Sequence, residues 1–191
     1  RVHVLTYAAR FPRPAYTLRV HRPRSILCYV DSMKIENQVA VVTGGAGFIG
    51  SNLAAALVER GRRVLVVDDV DAGKHENLAG LDVDVLDKHA FLENVRADQL
   101  PAVAAIFHQG ACADTLESDE KFMLENNFEY SKTLFEFCAR RRVQLIYASS
   151  ASVYGGGDVF EEDAKHESAM NIYARSKLLF DQFVRARRPD F

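Results

Sequence analysis

Tyr173 and Lys177 stand four apart in a segment, residues 171 to 187, whose periodicity predicts a helix, so their side chains share one face as neighbours. A phenol, with an ordinary pKa of about 10, is a poor base at neutral pH, but an adjacent ammonium favours the phenolate. Ser150 closes the apolar run Val143-Gln144-Leu145-Ile146-Tyr147-Ala148 with a hydroxyl that can hydrogen-bond the same substrate oxygen as the tyrosine. The chemistry such a Ser-Tyr-Lys set can perform is removal and return of a proton at an oxygen held between Ser150 and Tyr173. Taken alone, the pair is common by chance and more often a surface tyrosine beside a solvated lysine, so the surrounding elements decide its meaning.

Those elements begin with Val39-Ala40-Val41-Val42, a strand that runs through Thr43 into Gly44-Gly45-Ala46-Gly47-Phe48-Ile49-Gly50 and then into a helix carrying Leu53, Ala54, Leu57 and Val58 at helical spacing. Glycines placed there let the backbone bend sharply and approach a pyrophosphate, while the helix turns its free N–H groups and positive dipole end toward that anion. A second strand, 63 to 68, ends at Asp68, whose carboxylate can accept hydrogen bonds from an adenosine ribose. The turn therefore reads as a dinucleotide-binding turn. A cationic nicotinamide beside Tyr173 would favour the phenolate further.

The rest of the chain continues to alternate strand and helix. Leu81–Leu86 reads as a third strand, followed by a helix around Ala90–Val95; Val103–His108 is the fourth, and 143 to 148 the fifth. Between the last two lies a long helix from about Asp119 to Arg142, with Phe122, Leu134, Phe135 and Phe137 expected toward the sheet. This order predicts an α/β fold, a Rossmann-like doubly wound parallel sheet with right-handed crossovers. The glycine turn, Asp68, Gln109 to Ala113 and Ser149-Ser150 all fall just past strand ends, where such sheets bind ligands.

The chain has 191 residues, enough for one domain, and 48% hydrophobic residues, ample for a core. Its 24 basic and 26 acidic residues leave a net charge of -2, which gives no field favouring nucleic acid or an anionic membrane. No apolar run approaches the ~20 residues of a membrane span. Cys28, Cys112 and Cys138 are too scattered for a disulfide framework or a metal site, and a reducing cytoplasm is the expected location. His108 reads as a satisfied core or rim histidine. Arg140-Arg141-Arg142 and Arg185-Ala186-Arg187-Arg188 read as helix-terminal charge, and Gly155-Gly156-Gly157 as either a mobile loop near substrate or a plain connector.

Residues 1 to 38 are expected to lie outside the fold. They carry Arg1, Arg10, Arg13, Arg19, Arg22 and Arg24, Pro12, Pro14 and Pro23, and no acid before Asp31. That composition suits an organellar targeting peptide, but the prolines break any long amphipathic helix, so the favoured reading is upstream sequence or an unstructured extension, with Met33 as the start.

Thr43–Gly50, Ser149-Ser150-Ala151-Ser152-Val153-Tyr154-Gly155 and Tyr173-x-x-x-Lys177 together resemble the extended short-chain dehydrogenase/reductase family of nucleotide-sugar epimerases and dehydratases. Within it, Ala105–Cys112, Met123–Lys132, Tyr147–Ser150 and Ser176–Asp181 resemble the branch that epimerises C6 of an ADP-linked heptose, a precursor of lipopolysaccharide core. The resemblance runs from about Val39 to Phe191, so that 39 to 191 is an NAD(P)-binding Rossmann domain, incomplete before the family's substrate domain and second base. It implies that Tyr173 is the catalytic acid/base, Ser150 a substrate-oxygen ligand, and Lys177 a cofactor ligand that also tunes Tyr173. It further implies cofactor contacts from Gly44, Gly47, Phe48, Ile49, Gly50, Asp68, Asp69, Lys74 and Lys88, and from Gln109, Gly110, Ala111, Cys112, Ala113 and Asn126. The implied cofactor is NADP, with NAD as the alternative that Asp68 by itself favours, and the implied partner is a nucleotide sugar, in a homo-oligomer when full length. Ala174-Arg175 depart from the glycine and tyrosine usual inside the catalytic spacing. A nucleotide-sugar 4-epimerase or dehydratase, and a dinucleotide-binding sensor without chemistry, remain open alternatives.

Overall fold

Val39–Thr43 is buried along its whole length, as an apolar strand covered on both faces must be. A computed structural model describes residues 2–5, 38–69, 74–159 and 161–187. In it, six parallel strands form one sheet: β1 Val2–Leu5, β2 Val39–Thr43, β3 Arg63–Asp68, β4 Asp84–Asp87, β5 Val103–His108 and β6 Gln144–Ala148. Their order is β1-β6-β5-β2-β3-β4. The register sets Thr43 opposite both Val67 and His108, so the three strand ends that carry the site finish level with one another.

Side-chain alternation along the strands divides the core in two. Ala40, Val42, Val64, Val66 and Phe107 point to one face, where Leu53, Ala54 and Leu57 of helix α1, Phe48–Val58, cover them. Val41, Val67, Ile106, Leu145 and Tyr147 point to the other. There they meet Phe91 and Val95 of α2 (Lys88–Arg96), Leu134 and Phe137 of α4 (Tyr130–Arg141), and Phe180 and Val184 of α5 (Ile172–Arg187). Asp87 caps α2 by accepting from the amides of His89 and Ala90 at 2.8 and 3.2 Å. Arg142 ends α4 in the left-handed conformation, and Arg141 reaches back to the carboxylate of Asp98 at 2.8 Å. Among the described residues no helix is long and apolar enough to cross a membrane.

Three expectations are corrected. The segment expected wholly outside the fold contributes β1, which pairs with the otherwise open edge of β6 from Val2 opposite Leu145 to Leu5 opposite Ala148; the short run Val-His-Val-Leu precedes the first proline and satisfies backbone groups that β6 would expose. The third strand begins at Asp84, later than Leu81, because it is the sheet edge and its first two residues are exposed. The long helix is interrupted: α3, Glu120–Leu124, passes through a π-helical turn, Glu125–Glu129, before α4. One extra residue in a turn shifts the phase of everything before it by about 100°. Phe122, expected in the core, is consequently 41% exposed.

Candidate active site

Past the ends of β2, β3 and β5 lies a cleft of about 340 Å³. Gly44 and Gly47 line it from the first turn, Asp68, Asp69 and Lys88 from beyond β3 and β4. Gln109, Gly110, Ala111 and Cys112 enter from the turn after β5, with Asn126, Phe122 and Tyr130 from the interrupted helix. Gly44, at φ +65°, brings the β2 turn so near the β5 turn that a Cβ on it would stand 2.6 Å from the amide nitrogen of Gly110. The cleft thus exists because two glycines pack backbone against backbone.

Other residues named from the sequence lie around the cleft without lining it. Phe48 is 81% and Ile49 43% exposed at the start of α1; Gly50 is buried beneath the turn, and Ala113 is exposed. Lys74 opens the short 3-10 turn Lys74–Leu78; its side chain lies outside the described residues. α1 itself starts at Gly47 with no side-chain cap and no acid in its first turn, which leaves its amides and positive dipole end for an anion.

Asp68 has a structural part in the turn. Its Oδ2 accepts from the Ala46 amide at 2.8 Å and its Oδ1 from its neighbour Asp69 at 2.8 Å, so the carboxylate braces the glycine turn. Lys88 pairs with Asp69 at 3.0 Å inside the same cleft. The side-chain nitrogen of Gln109 is buried there with no hydrogen-bond acceptor among the described residues, a donor that a ligand oxygen would satisfy. An uncapped helix start, two carboxylates, a lysine and an orphaned amide donor fit a dinucleotide with its ribose and phosphate oxygens.

Ser150, Tyr173 and Lys177 do not line this cleft, and no hydrogen bond joins them to one another among the described contacts. Ser150 ends β6, where its hydroxyl meets that of Ser152 at 2.7 Å and accepts from the Ser152 amide at 3.2 Å. Tyr173 is half-buried in the first turn of α5. Lys177, one turn on, is 7% exposed; burial pushes its ammonium down to about 8, against the pull of Asp181.

What ties the cleft to α5 is a chain of buried polar groups that the sequence did not reveal. The Gly110 amide donates to Thr43 Oγ1 at 3.2 Å, and that hydroxyl meets His108 Nδ1 at 2.6 Å. His108 Nε2 lies 2.7 Å from Ser131 Oγ, whose own proton goes to the Asn127 carbonyl at 2.6 Å. Since Ser131 spends its proton there, His108 must donate from Nε2 and accept at Nδ1 from Thr43. The Asn127 side chain accepts from the Cys112 amide at 2.7 Å, donates to the Cys112 carbonyl at 3.0 Å, and also donates to Ser176 Oγ at 3.0 Å. Ser176 in turn donates to the Tyr173 carbonyl at 2.7 Å. The π-helical turn is what aims Asn127 inward, next to the cleft-lining Asn126. The pairing Asn126-Asn127 with Ser131 four residues on was the available sequence signal. The reading of His108 as a satisfied core histidine agrees with this network.

His108 also makes stability depend on pH. Burial, with the nearby charge of Lys177, pushes it down to about 3 from 6.5. A neutral buried histidine with a depressed pKa contributes stability fully above the unfolded value of 6.5, and loses it toward acid as the unfolded chain alone takes up the proton, at about 1.4 kcal/mol per pH unit. Melting temperature should therefore fall between about pH 6.5 and 5, and His108→Gln, although less stable throughout, should flatten that slope. An equal slope in both proteins would refute the assignment.

Gly155-Gly156-Gly157, left open between mobile loop and connector, is tied down at its centre. The Gly156 amide donates to the Ser168 carbonyl at 2.9 Å, and Glu167 beside it is held by both guanidinium nitrogens of Arg185 at 2.6 and 2.8 Å.

Residues 40–191 match the model of the NAD dependent epimerase/dehydratase family. The ADP-L-glycero-D-manno-heptose-6-epimerase of Alkalilimnicola ehrlichii is 52% identical over 149 residues, covering 76% of this chain and 47% of that protein. Among solved structures, the Helicobacter pylori ADP-L-glycero-D-manno-heptose-6-epimerase superposes with a TM-score of 0.74 at 34% identity, over 82% of this chain and 53% of that one. The Thermus thermophilus UDP-glucose 4-epimerase in complex with NAD gives 0.65 at 29% identity, over 81% and 52%. The chain spans about half the length of these relatives. With the glycine turn, the level strand ends and the Tyr-x-x-x-Lys helix all inside the matched region, the chain belongs to the NAD dependent epimerase/dehydratase family.

Proposed function

We propose that this chain forms the cofactor-binding part of an enzyme that epimerises C6 of an ADP-linked heptose. The observation that carries the proposal is the placement of Ser150 at the end of β6 and of Tyr173 and Lys177 one turn apart on α5, a helix tied through Ser176 and Asn127 to Cys112 of a cleft suited to a dinucleotide. The 52% identical heptose epimerase supports this substrate over others. A bound nicotinamide dinucleotide would supply a reversible hydride acceptor. Gly44, Gly47, the open start of α1 and Gln109–Cys112 would hold its phosphates and riboses. For the form of the cofactor, Lys88 supports NADP, while Asp68, Asp69 and the NAD complex of the Thermus thermophilus relative support NAD. At the substrate, Tyr173 Oη takes the proton of the C6-side hydroxyl and later returns it, Ser150 Oγ holds that oxygen, and Lys177 contributes a cofactor contact one turn further along the helix. Oxidation and re-reduction cancel, so no net redox change results.

The test incubates a polypeptide of the relatives' length carrying this chain, without added cofactor, with ADP-heptose and separately with UDP-glucose, followed by chromatography of the sugar products and mass spectrometry of the bound nucleotide. Interconversion of the two ADP-heptose epimers, with NADP or NAD released on denaturation, is the expected result. Turnover of UDP-glucose alone would replace this reading with that of a ring C4 epimerase, which the UDP-glucose 4-epimerase neighbour makes the second candidate. Bound dinucleotide with no turnover of either sugar would favour a sensor.

A further inference from the structure

Asp181 continues the row begun by Tyr173 and Lys177, four residues further along the same face of α5. It is 6% exposed, and both of its oxygens are used across the boundary between helix and sheet. Oδ1 accepts from the Tyr147 hydroxyl at 2.9 Å, and Oδ2 accepts from the Ser149 hydroxyl. Both donors sit at the end of β6, Ser149 directly before Ser150, so the contact fixes the backbone that presents Ser150 relative to the helix that presents Tyr173.

Geometry alone does not explain why the clamp is a carboxylate. An asparagine would offer one acceptor and one donor in the same place, and because each hydroxyl can donate or accept, both contacts could be kept without the desolvation penalty of a buried charge. Burial indeed raises the Asp181 pKa, with the Ser149 and Tyr147 hydrogen bonds pulling the other way. The groups that face it are few. Lys177 and Arg185 lie on its own helix, Tyr147 on β6 and Tyr154 in the 3-10 turn Ala151–Tyr154; His108, near Lys177, is neutral. Arg185 is committed to Glu167 through two hydrogen bonds. Lys177 makes no ion pair among the described residues, and Asp181 is the influence that favours its charged form against burial.

We infer that Asp181 is a positioning residue whose buried carboxylate clamps the end of β6 to α5, setting Ser150 against Tyr173, and supplies the negative charge that keeps Lys177 an ammonium beside Tyr173. Its consequence for proton transfer rests on the proposed function; the electrostatic coupling itself does not.

The experiment is an NMR titration of the chain carrying lysine labelled with carbon-13 at Cε, with the Lys177 signal identified by its loss in Lys177→Met. Asp181→Asn should lower the Lys177 midpoint by about one pH unit, a tenfold change in its acidity. Ser149→Ala, which removes one clamp hydrogen bond and leaves the charge, should keep that midpoint and lower the melting temperature. An unchanged midpoint in Asp181→Asn, or equal shifts in both variants, would overturn the inference. If Asp181→Asn does not fold, the wild-type signal decides: Lys177 must show a second, small inflection where Asp181 titrates in acid, as coupled groups do, and its absence would overturn the inference equally. Failure of the epimerase reading would leave these titrations as they are, so the two outcomes are distinguishable.

Discussion

Tyr173→Phe should lower kcat for ADP-heptose by about 10² to 10⁴-fold, the range of a lost general acid/base, while cofactor affinity stays within about twofold, since the change removes no cofactor ligand named here. The substitution deletes one oxygen from a half-buried side chain. What anchors this residue is its backbone: the Tyr173 carbonyl accepts from Ser176 Oγ at 2.7 Å, and Ser176 is itself held by Asn127 at 3.0 Å. Neither bond involves the phenol, so the helix start should keep its place and the melting temperature should change little. The rate is read by chromatography of the epimers and affinity by calorimetric titration, on a polypeptide of the relatives' length carrying this chain. Turnover within a factor of two of the parent would remove Tyr173 from the chemistry. A parallel loss of cofactor affinity would mean instead that the hydroxyl holds the dinucleotide, which the present placement, outside the lining of the cleft, does not require.

The parts of this site that could be read from the sequence are those whose meaning is local. A strand, a glycine turn and a helix follow each other without interruption between Val39 and Val58, so the glycine turn declares itself in twenty consecutive positions. The spacing of Tyr173 and Lys177 is likewise a property of one helix. What stayed hidden depends on partners far away in the chain. His108 reads as a bland core residue until Thr43 and Ser131 are brought to its two nitrogens. Asp181 is only the last residue of a motif until β6 delivers Tyr147 and Ser149 to it. Asn127 escaped notice because its inward aim depends on a π-helical turn, which no residue propensity announces, and the same turn swung Phe122 out of the core. β1 escaped because its four residues precede a stretch of arginine and proline that dominates any compositional window, whereas the pairing is decided by the open edge of β6.

Gly50→Ala should weaken dinucleotide binding and destabilise the fold, although it adds one methyl group in the middle of a helical turn, where alanine is intrinsically the better residue by about 1 kcal/mol. A Cβ built on Gly50 would stand 2.1 Å from the Gly44 carbonyl oxygen and 2.7 Å from the Gly45 Cα. Those atoms are backbone and cannot rotate away as a side-chain tip would. Either α1 moves off the turn or the turn moves off β2, and both are held: the Gly44 amide donates to the Val67 carbonyl at 2.7 Å and the Ala46 amide to Asp68 at 2.8 Å. The steric penalty, about 1–3 kcal/mol or more for overpacking, therefore outweighs the gain in propensity. Displacing α1 also takes its uncapped amides away from the place where a pyrophosphate would sit, which is the stronger effect on function. Affinity for NAD and NADP should fall at least tenfold, or about 1.4 kcal/mol, with a lowered melting temperature. Gly157→Ala is the control, because its nearest neighbour would be an ordinary 3.9 Å away, and it should change neither quantity. If Gly50→Ala bound dinucleotide as the parent does while melting at a lower temperature, the close approach of α1 to the turn would be a matter of packing alone, and the anion would have to be held by the Gly110 turn and Lys88 instead.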